Sequence, residues 1–222
     1  MRPFFLNRSV FEISFRLPCP NIFTPSLRDQ AASLSLVDRD YNCPVEVFGM
    51  NVIECDVPSC SALSRDLIGN AYFHDSYRAP LVRPELGIVD IFFALFGHTP
   101  IWMKILLIAR NAAARACGLE APSVGEIMKP TVRSEYRVGE KIGPWPIFFI
   151  ADNEIVAGRN NKHLDFRLSV LKATDGDAIS VVVSTICTVH NVFGKIYLFF
   201  IVPFHRKGVR SLMSNAVVAK RF

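Results

Sequence analysis

The sequence has no acidic residue after Asp177. Residues 178–222 carry Lys195, Arg206, Lys207, Arg210, Lys220 and Arg221 with no carboxylate side chain to oppose them. An end of that sign favours an anionic surface, such as phospholipid or an acidic protein. Metal and redox signatures are missing as well. The six cysteines, at 19, 43, 55, 60, 117 and 187, form no Cys-x-x-Cys pair, and no His-x3-His stands near them. That spacing argues against a zinc site, and a chain of this length has core enough to dispense with a disulfide framework. The thiols read as reduced, in a cytoplasmic protein. No Gly-x-Gly-x-x-Gly, P-loop, Gly-x-Ser-x-Gly, His-Glu-x-x-His or deaminase pattern occurs. No NAD, metal or other cofactor is therefore expected, and hydrolase and nucleotide readings lack support.

Long apolar runs are also scarce. At the N-terminus, "MRPFFLNRSVFEISFR" is broken by Asn7, Arg8 and Glu12, which argues against a secretory signal. Ile88 to Ile108 has spanning length but contains Asp90, Gly97, His98, Pro100 and Lys104. Asp or Lys near a bilayer centre costs roughly 2.5–3.5 kcal/mol each, so two shorter helices split at Gly97–Pro100 fit better. In "GKIYLFFIVPFHRKGVR", residues 194–210, the unbroken part is far shorter than the roughly 20 residues a span requires.

What the chain does have is core. Half of its 222 residues are hydrophobic and 18 are Phe, at a net charge of +5. That composition argues against disorder of the whole chain. Residues 1–49 mix Pro, Asn, Ser and Asp without a sustained period and read as a loosely ordered extension. The domain proper is expected over 50–222, and Met50 is a candidate start for a shorter product.

From Asn51, "NVIECDV" predicts a first strand, and "PSCSALSRDLIG" a short helix capped by Ser59 or Ser61. "AYFHDSYRA" predicts a second strand. Two helices follow, the second with Trp102, Ile105, Leu106 and Ala109 inside and Lys104, Asn111 and Arg115 facing water. An edge strand is expected near 132–138. The pattern then changes to period two in "PIFFIA", "EIVAG", "HLDFRLSVLK" and "ISVVVSTICTVH". Short connections make these an antiparallel meander closing around Asp175–Gly176. Leu164, Phe166, Leu168 and Val170 share one face with Val181, Val183, Thr185 and Cys187 of the next strand. Asn191 is the expected N-cap of a helix from about 192 to 219, kinked near Pro203. On it Leu198, Ile201, His205, Gly208 and Leu212 form a row facing the sheet, away from most of the basic residues.

This order of elements resembles the helix-grip architecture of the START and birch-pollen-allergen (SRPBCC) superfamily. More narrowly, "DSYRAPL", "TPIWMKILLIARNAAARACGL", "NEIVAGRNNKHLDFRLSVL" and "TICTVHNVFGKIYLFFIVPFHR" are similar to an uncharacterised bacterial domain-of-unknown-function family. That family occurs alone and behind NAD(P)-binding, short-chain-dehydrogenase-like domains. The resemblance covers about residues 52–218. It implies an α+β fold in which a curved antiparallel sheet wraps the long C-terminal helix and leaves an apolar pocket between them. Superfamily members bind lipids, sterols and aromatic metabolites, and some cyclise or hydrate them. Fold alone assigns no reaction.

The candidate function is binding of an apolar or amphipathic small molecule. Its expected walls are Trp102, Phe148, Phe166, Leu168, Val183, Tyr197, Ile201 and Phe204, with Tyr77, Arg110 and His205 as polar groups. Asp75 and Ser76 offer a polar lip. His205 is the candidate acid or base should the domain be an enzyme; the bland alternative is a core histidine bonded to a carbonyl freed by Pro203. His163, Asp165 and Arg167 lie at i, i+2 and i+4 of one strand. They form either a ligand-fixing polar cluster or a cross-strand ion pair on the outer face. The apolar first half of the last helix calls for cover by a ligand, a second subunit in a homodimer, or a lipid surface. Aromatic residues at core positions argue against a nucleic-acid platform.

Overall fold

The computed structural model describes residues 51–63, 65–116, 133, 135–176 and 178–222. The predicted extension 1–49 and the Met50 start lie outside them. Strands are β1 (Ile53–Glu54), β2 (Phe73–Pro80), β3 (Lys141–Ile142), β4 (Trp145–Ile150), β5 (Glu154–Arg159), β6 (Leu164–Asp175) and β7 (Ala178–Val189). Helices are α1 (Arg65–Gly69), α2 (Ile88–Phe96), α3 (Ile101–Ala116) and α4 (Val192–Val218).

The strands form one seven-stranded sheet in the order β1-β2-β7-β6-β5-β4-β3, with every pair antiparallel. The sheet does not close into a barrel, and with the C-terminal helix it makes an α+β fold. The four period-two segments become β4 to β7. Asp175 pairs with Ala178, and Gly176 turns the hairpin at φ +58, a left-handed conformation that glycine adopts without a Cβ clash. The register places Leu168 opposite Thr185 and Val170 opposite Val183, so the face read from alternation is the face observed. The first strand is reduced to two residues. No strand occurs at the described positions of 132–138; the edge is the two-residue β3 just beyond. A Gly139 turn at φ +90 intervenes.

The inner face of the sheet has two regions. Toward one end Tyr77, Ala79, Val170, Val181 and Val183 pack solidly with Ile88, Ile91 and Leu95 of α2 and with Met213, Ala216 and Val217 of α4. Full burial of each large aliphatic side chain contributes about 1.5–3 kcal/mol. Toward the other end Phe73, Leu164, Phe166 and Cys187 pack with Tyr197, Leu198 and Val202 of the first half of α4, beside a gap that the same residues line. The outer face carries a smaller core of Leu63, Val156 and Ile186. There Glu154, 2 % exposed, accepts hydrogen bonds from Ser61 Oγ, Ser169 Oγ and the Ala62 amide. Ser61 thus anchors the segment before α1 to the sheet, while its Oγ also accepts from the Leu63 amide.

Helices α2 and α3 meet at a break bent by 87°, as Gly97 and Pro100 predict. Among the described residues no single helix is long and apolar enough to cross a membrane, although this bent pair passes by length and composition. The α3 face differs from expectation. Asn111, assigned to water, is 1 % exposed, whereas Ile105 is 61 % and Trp102 42 % exposed. The reason is local: Asn111 Oδ1 accepts from Arg110 Nη1, which satisfies the amide inside. α4 begins at the expected cap, where Asn191 Oδ1 accepts from the Gly194 amide at 3.2 Å. It runs through Pro203 without interruption.

Candidate functional site

The gap holds a cavity of about 280 Å³. Its floor is Phe73 of β2, Leu164, Phe166 and Leu168 of β6, and Thr185 and Cys187 of β7. These share one face because alternate strand residues do. One wall is α2, through Phe92, Phe93 and Phe96, with Trp145 of β4 edge-on to both Phe92 and Phe96. The remaining walls are α3 and the first half of α4. Met103 meets Gly208, and Arg110 meets Tyr197, so these two helices run antiparallel. A Cβ on Gly208 would lie 3.2 Å from Met103 Cε, so glycine leaves room for that side chain.

Of the residues singled out from sequence, Trp102, Arg110, Phe166, Leu168, Tyr197, Ile201, Phe204 and His205 line this cavity. Tyr77, Phe148 and Val183 do not. Val183 belongs to the solid part of the core. Tyr77 is fully buried, and its hydroxyl donates to Asp75 Oδ2 at 3.3 Å. Burial raises its pKa first, helped by Asp75 and Glu54 and opposed by Arg210. Phe148 packs under the Arg167 guanidinium, 3.7 Å from the ring centroid.

His163, Asp165 and Arg167 sit on β6 or just before it, out of phase with the cavity-lining Leu164, Phe166 and Leu168. They do not converge. His163 Nδ1 contacts Asn191 Oδ1 at 3.1 Å, Asp165 meets His190 at 3.1 Å, and Arg167 Nη1 donates to the Phe166 carbonyl. The three brace the entry to α4 and the outer face of the sheet. Desolvation lowers the Arg167 pKa, with Asp165 pulling the other way.

Polar groups gather at the β2–β7 side of the cavity. His205 Nε2 lies 3.3 Å from Asp75 Oδ1, and the Asp75 side chain is only 1 % exposed. Asp75 is the direct register partner of Thr185. Thr185 is 5 % exposed, and its Oγ1 has no hydrogen-bond partner among the described residues. Leaving a buried hydroxyl unpaired costs about 1–3 kcal/mol. Cys187 follows Thr185 on the same face as a buried free thiol. Arg110 Nε donates to Tyr197 Oη at 2.6 Å. Burial raises the Tyr197 pKa while Arg110 opposes the rise.

Chemically, a carboxylate accepting from His205 Nε2–H fixes that tautomer and leaves Nδ1 with a lone pair. Such a ring can accept a proton or a hydrogen bond. Among the described residues no cluster of three or more His, Cys, Asp or Glu is suited to a metal ion.

Two parts of this site escaped sequence reading. The α2 phenylalanines were signalled by their i, i+1, i+4 clustering but read only as helix. Thr185 was legible as the single hydroxyl among Val181, Val183, Cys187 and Val189 on an inward face, and it was given no role of its own.

Comparison with curated proteins and with solved structures gives no match. The family model described as protein of unknown function (DUF2867) matches residues 67–212, a span that includes the whole cavity lining, and the chain belongs to that family.

Proposed function

We propose that this domain binds a hydrophobic or amphipathic small molecule between its sheet and its C-terminal helix, in a helix-grip arrangement. The observation that carries the reading is the 280 Å³ cavity, whose lining includes Phe73, Phe92, Phe93, Phe96, Phe166 and Trp145. A close-packed interior leaves few voids larger than a water molecule. An apolar void of this size therefore represents forgone packing contacts, which a hydrocarbon ligand would restore. Burial of ligand surface supplies about 25 cal/mol per Å². Exposed Trp102 and Phe204 stand on the lining, where part of a longer ligand would emerge.

The test is native mass spectrometry with solvent extraction of the purified protein, together with melting temperatures across a panel of fatty acids, sterols and aromatic compounds. A co-purified organic molecule, or a concentration-dependent rise in Tm with one class, is the expected result. A protein that carries nothing and responds to no member of the panel sinks the reading.

A further inference from the structure

We propose that the cavity has a built polar subsite, centred on Thr185, that takes a neutral oxygen group of the ligand, a hydroxyl or a carbonyl, and rejects a carboxylate. This rests on the ligand-binding reading and gives it a substrate class.

Two observations converge on Asp75, and a third concerns Thr185 itself. Asp75 is hydrogen-bonded to His205 on the helix wall, and it stands directly opposite Thr185 on the sheet floor. Side chains directly opposite on antiparallel strands have Cβ atoms about 4.5–5.5 Å apart. Thr185 lines the cavity, and its Oγ1 is buried with no partner among the described residues. An unpartnered buried hydroxyl on a sheet floor otherwise made of Phe73, Leu164, Phe166, Leu168 and Cys187 is suited to a ligand that completes its hydrogen bond. The sign of the charge beside it selects the ligand. A carboxylate bound at Thr185 would sit against the Asp75 carboxylate in a low-dielectric pocket, where like charges repel strongly. A carbonyl oxygen accepts from Thr185 O–H without that cost. A ligand hydroxyl donates to or accepts from the same atom.

The cations on the lining, Lys104 and Arg110, belong to the α3 wall and not to the sheet floor that carries Thr185. Arg110 Nε donates to Tyr197 and Nη1 donates to Asn111. Volume sets the size of the probe. At about 280 Å³ the cavity lies just under the roughly 300–1,000 Å³ range of drug-sized ligand sites, so small probes suit it. Small phenylalkyl compounds meet that size and suit a wall of phenylalanines.

Four phenylalkyl probes test the assignment by calorimetric titration at pH 8: propylbenzene, 3-phenylpropan-1-ol, 4-phenylbutan-2-one and 3-phenylpropanoate. Each is titrated into wild type, Thr185→Val and Thr185→Ser. Thr185→Val keeps the shape and removes the hydroxyl; Thr185→Ser keeps the hydroxyl and controls for folding. We expect Thr185→Val to weaken the alcohol and the ketone about fivefold to tenfold, with propylbenzene unchanged or tighter. Thr185→Ser should retain the preference, and phenylpropanoate should bind weakest throughout. If Thr185→Val moves propylbenzene and the oxygenated probes alike, or moves none of them, the subsite is wrong while the cavity stands. Tightest binding by phenylpropanoate overturns the neutral assignment. Failure of all four probes on wild type overturns the subsite and counts against the cavity reading as well. Should Thr185→Val not fold, a Thr185→Ser protein that binds propylbenzene as tightly as the alcohol and the ketone overturns the proposal by itself.

Discussion

Burial pushes the Cys187 thiol up to about 12; the Asp75 carboxylate adds to the rise and the Arg110 guanidinium opposes it. In the unfolded chain a thiol titrates near ~8.5. The folded state therefore holds its proton to higher pH than the unfolded state does. Native stability from this group is complete below the unfolded pKa and drains away as pH climbs from about 8.5 towards about 12. Tyr77 and Tyr197, both raised chiefly by burial, act in the same direction further into the alkaline range. The melting temperature should fall with pH across this window, and the fall should be shallower in Cys187→Ala. Thermal unfolding of both proteins from pH 8 to 11 checks this, and identical slopes would show that the thiol is not desolvated. At this scale the sequence was legible only in part. Alternation placed Thr185 and Cys187 inside, because strand periodicity is a backbone property. The Asp75–His205 contact joins residues 130 positions apart. Nothing local encodes it, and His205 was identified only through its inward row.

The elements were more legible than the residues, and the C-terminal helix shows why. Asn191 is a favoured capping residue, and its position fixed the start of α4. Its Nδ2 also donates to the Lys162 carbonyl, tying the helix to the turn before β6. Gly194 completes the junction: a Cβ there would lie 2.4 Å from the His163 carbonyl oxygen and 2.9 Å from Val189 Cγ1. Two effects compete in Gly194→Ala. Alanine gains about 1 kcal/mol of helix propensity over glycine. Against that, overpacking onto backbone costs typically 1–3 kcal/mol, because a carbonyl cannot rotate aside as a side chain can. We expect net destabilisation by about 1–2 kcal/mol, comparable with the ~1 kcal/mol expected for Asn191→Ala, in urea unfolding. A more stable Gly194→Ala protein would mean that the helix entry is looser than described. By contrast, the α3 face was misread because helix wheels rank residues by polarity alone. Asn111 is polar yet buried beside Arg110, and the apolar Ile101 and Ile105 are left outside.

For the whole molecule, the consequence of that misreading is an apolar exterior on the two helices that wall the cavity. On α4, Phe193, Ile196, Phe199 and Phe200 are each more than half exposed; on α3, Ile101 and Ile105 are too. Basic side chains accompany them. Lys207 and Arg206 are exposed on α4, and Lys195 lies over the Tyr72 ring, 5.7 Å from its centroid. Arg210 is less available, because it pairs with Glu54. The helix contains no acidic residue. Exposed aromatic residues with cations and no anions suit an anionic bilayer surface, where each Lys or Arg near the headgroups contributes about 1 kcal/mol. A cationic or neutral bilayer would lose that term. The expected outcome is flotation with phosphatidylglycerol-containing vesicles at low salt, much weaker flotation with phosphatidylcholine alone, and release as salt shortens the Debye length to ~10 Å at 0.1 M and below. Trp102 offers an internal reporter, since it is 42 % exposed at the cavity mouth while the other tryptophan, Trp145, packs against Phe92 and Phe96. Its emission should shift to the blue on vesicle addition, and Trp102→Phe should abolish the shift without preventing flotation. Equal flotation with both vesicle types would assign the contact to the phenylalanines alone. No flotation at low salt would leave this face to a protein partner or a second copy of the chain, and the bilayer reading would fail.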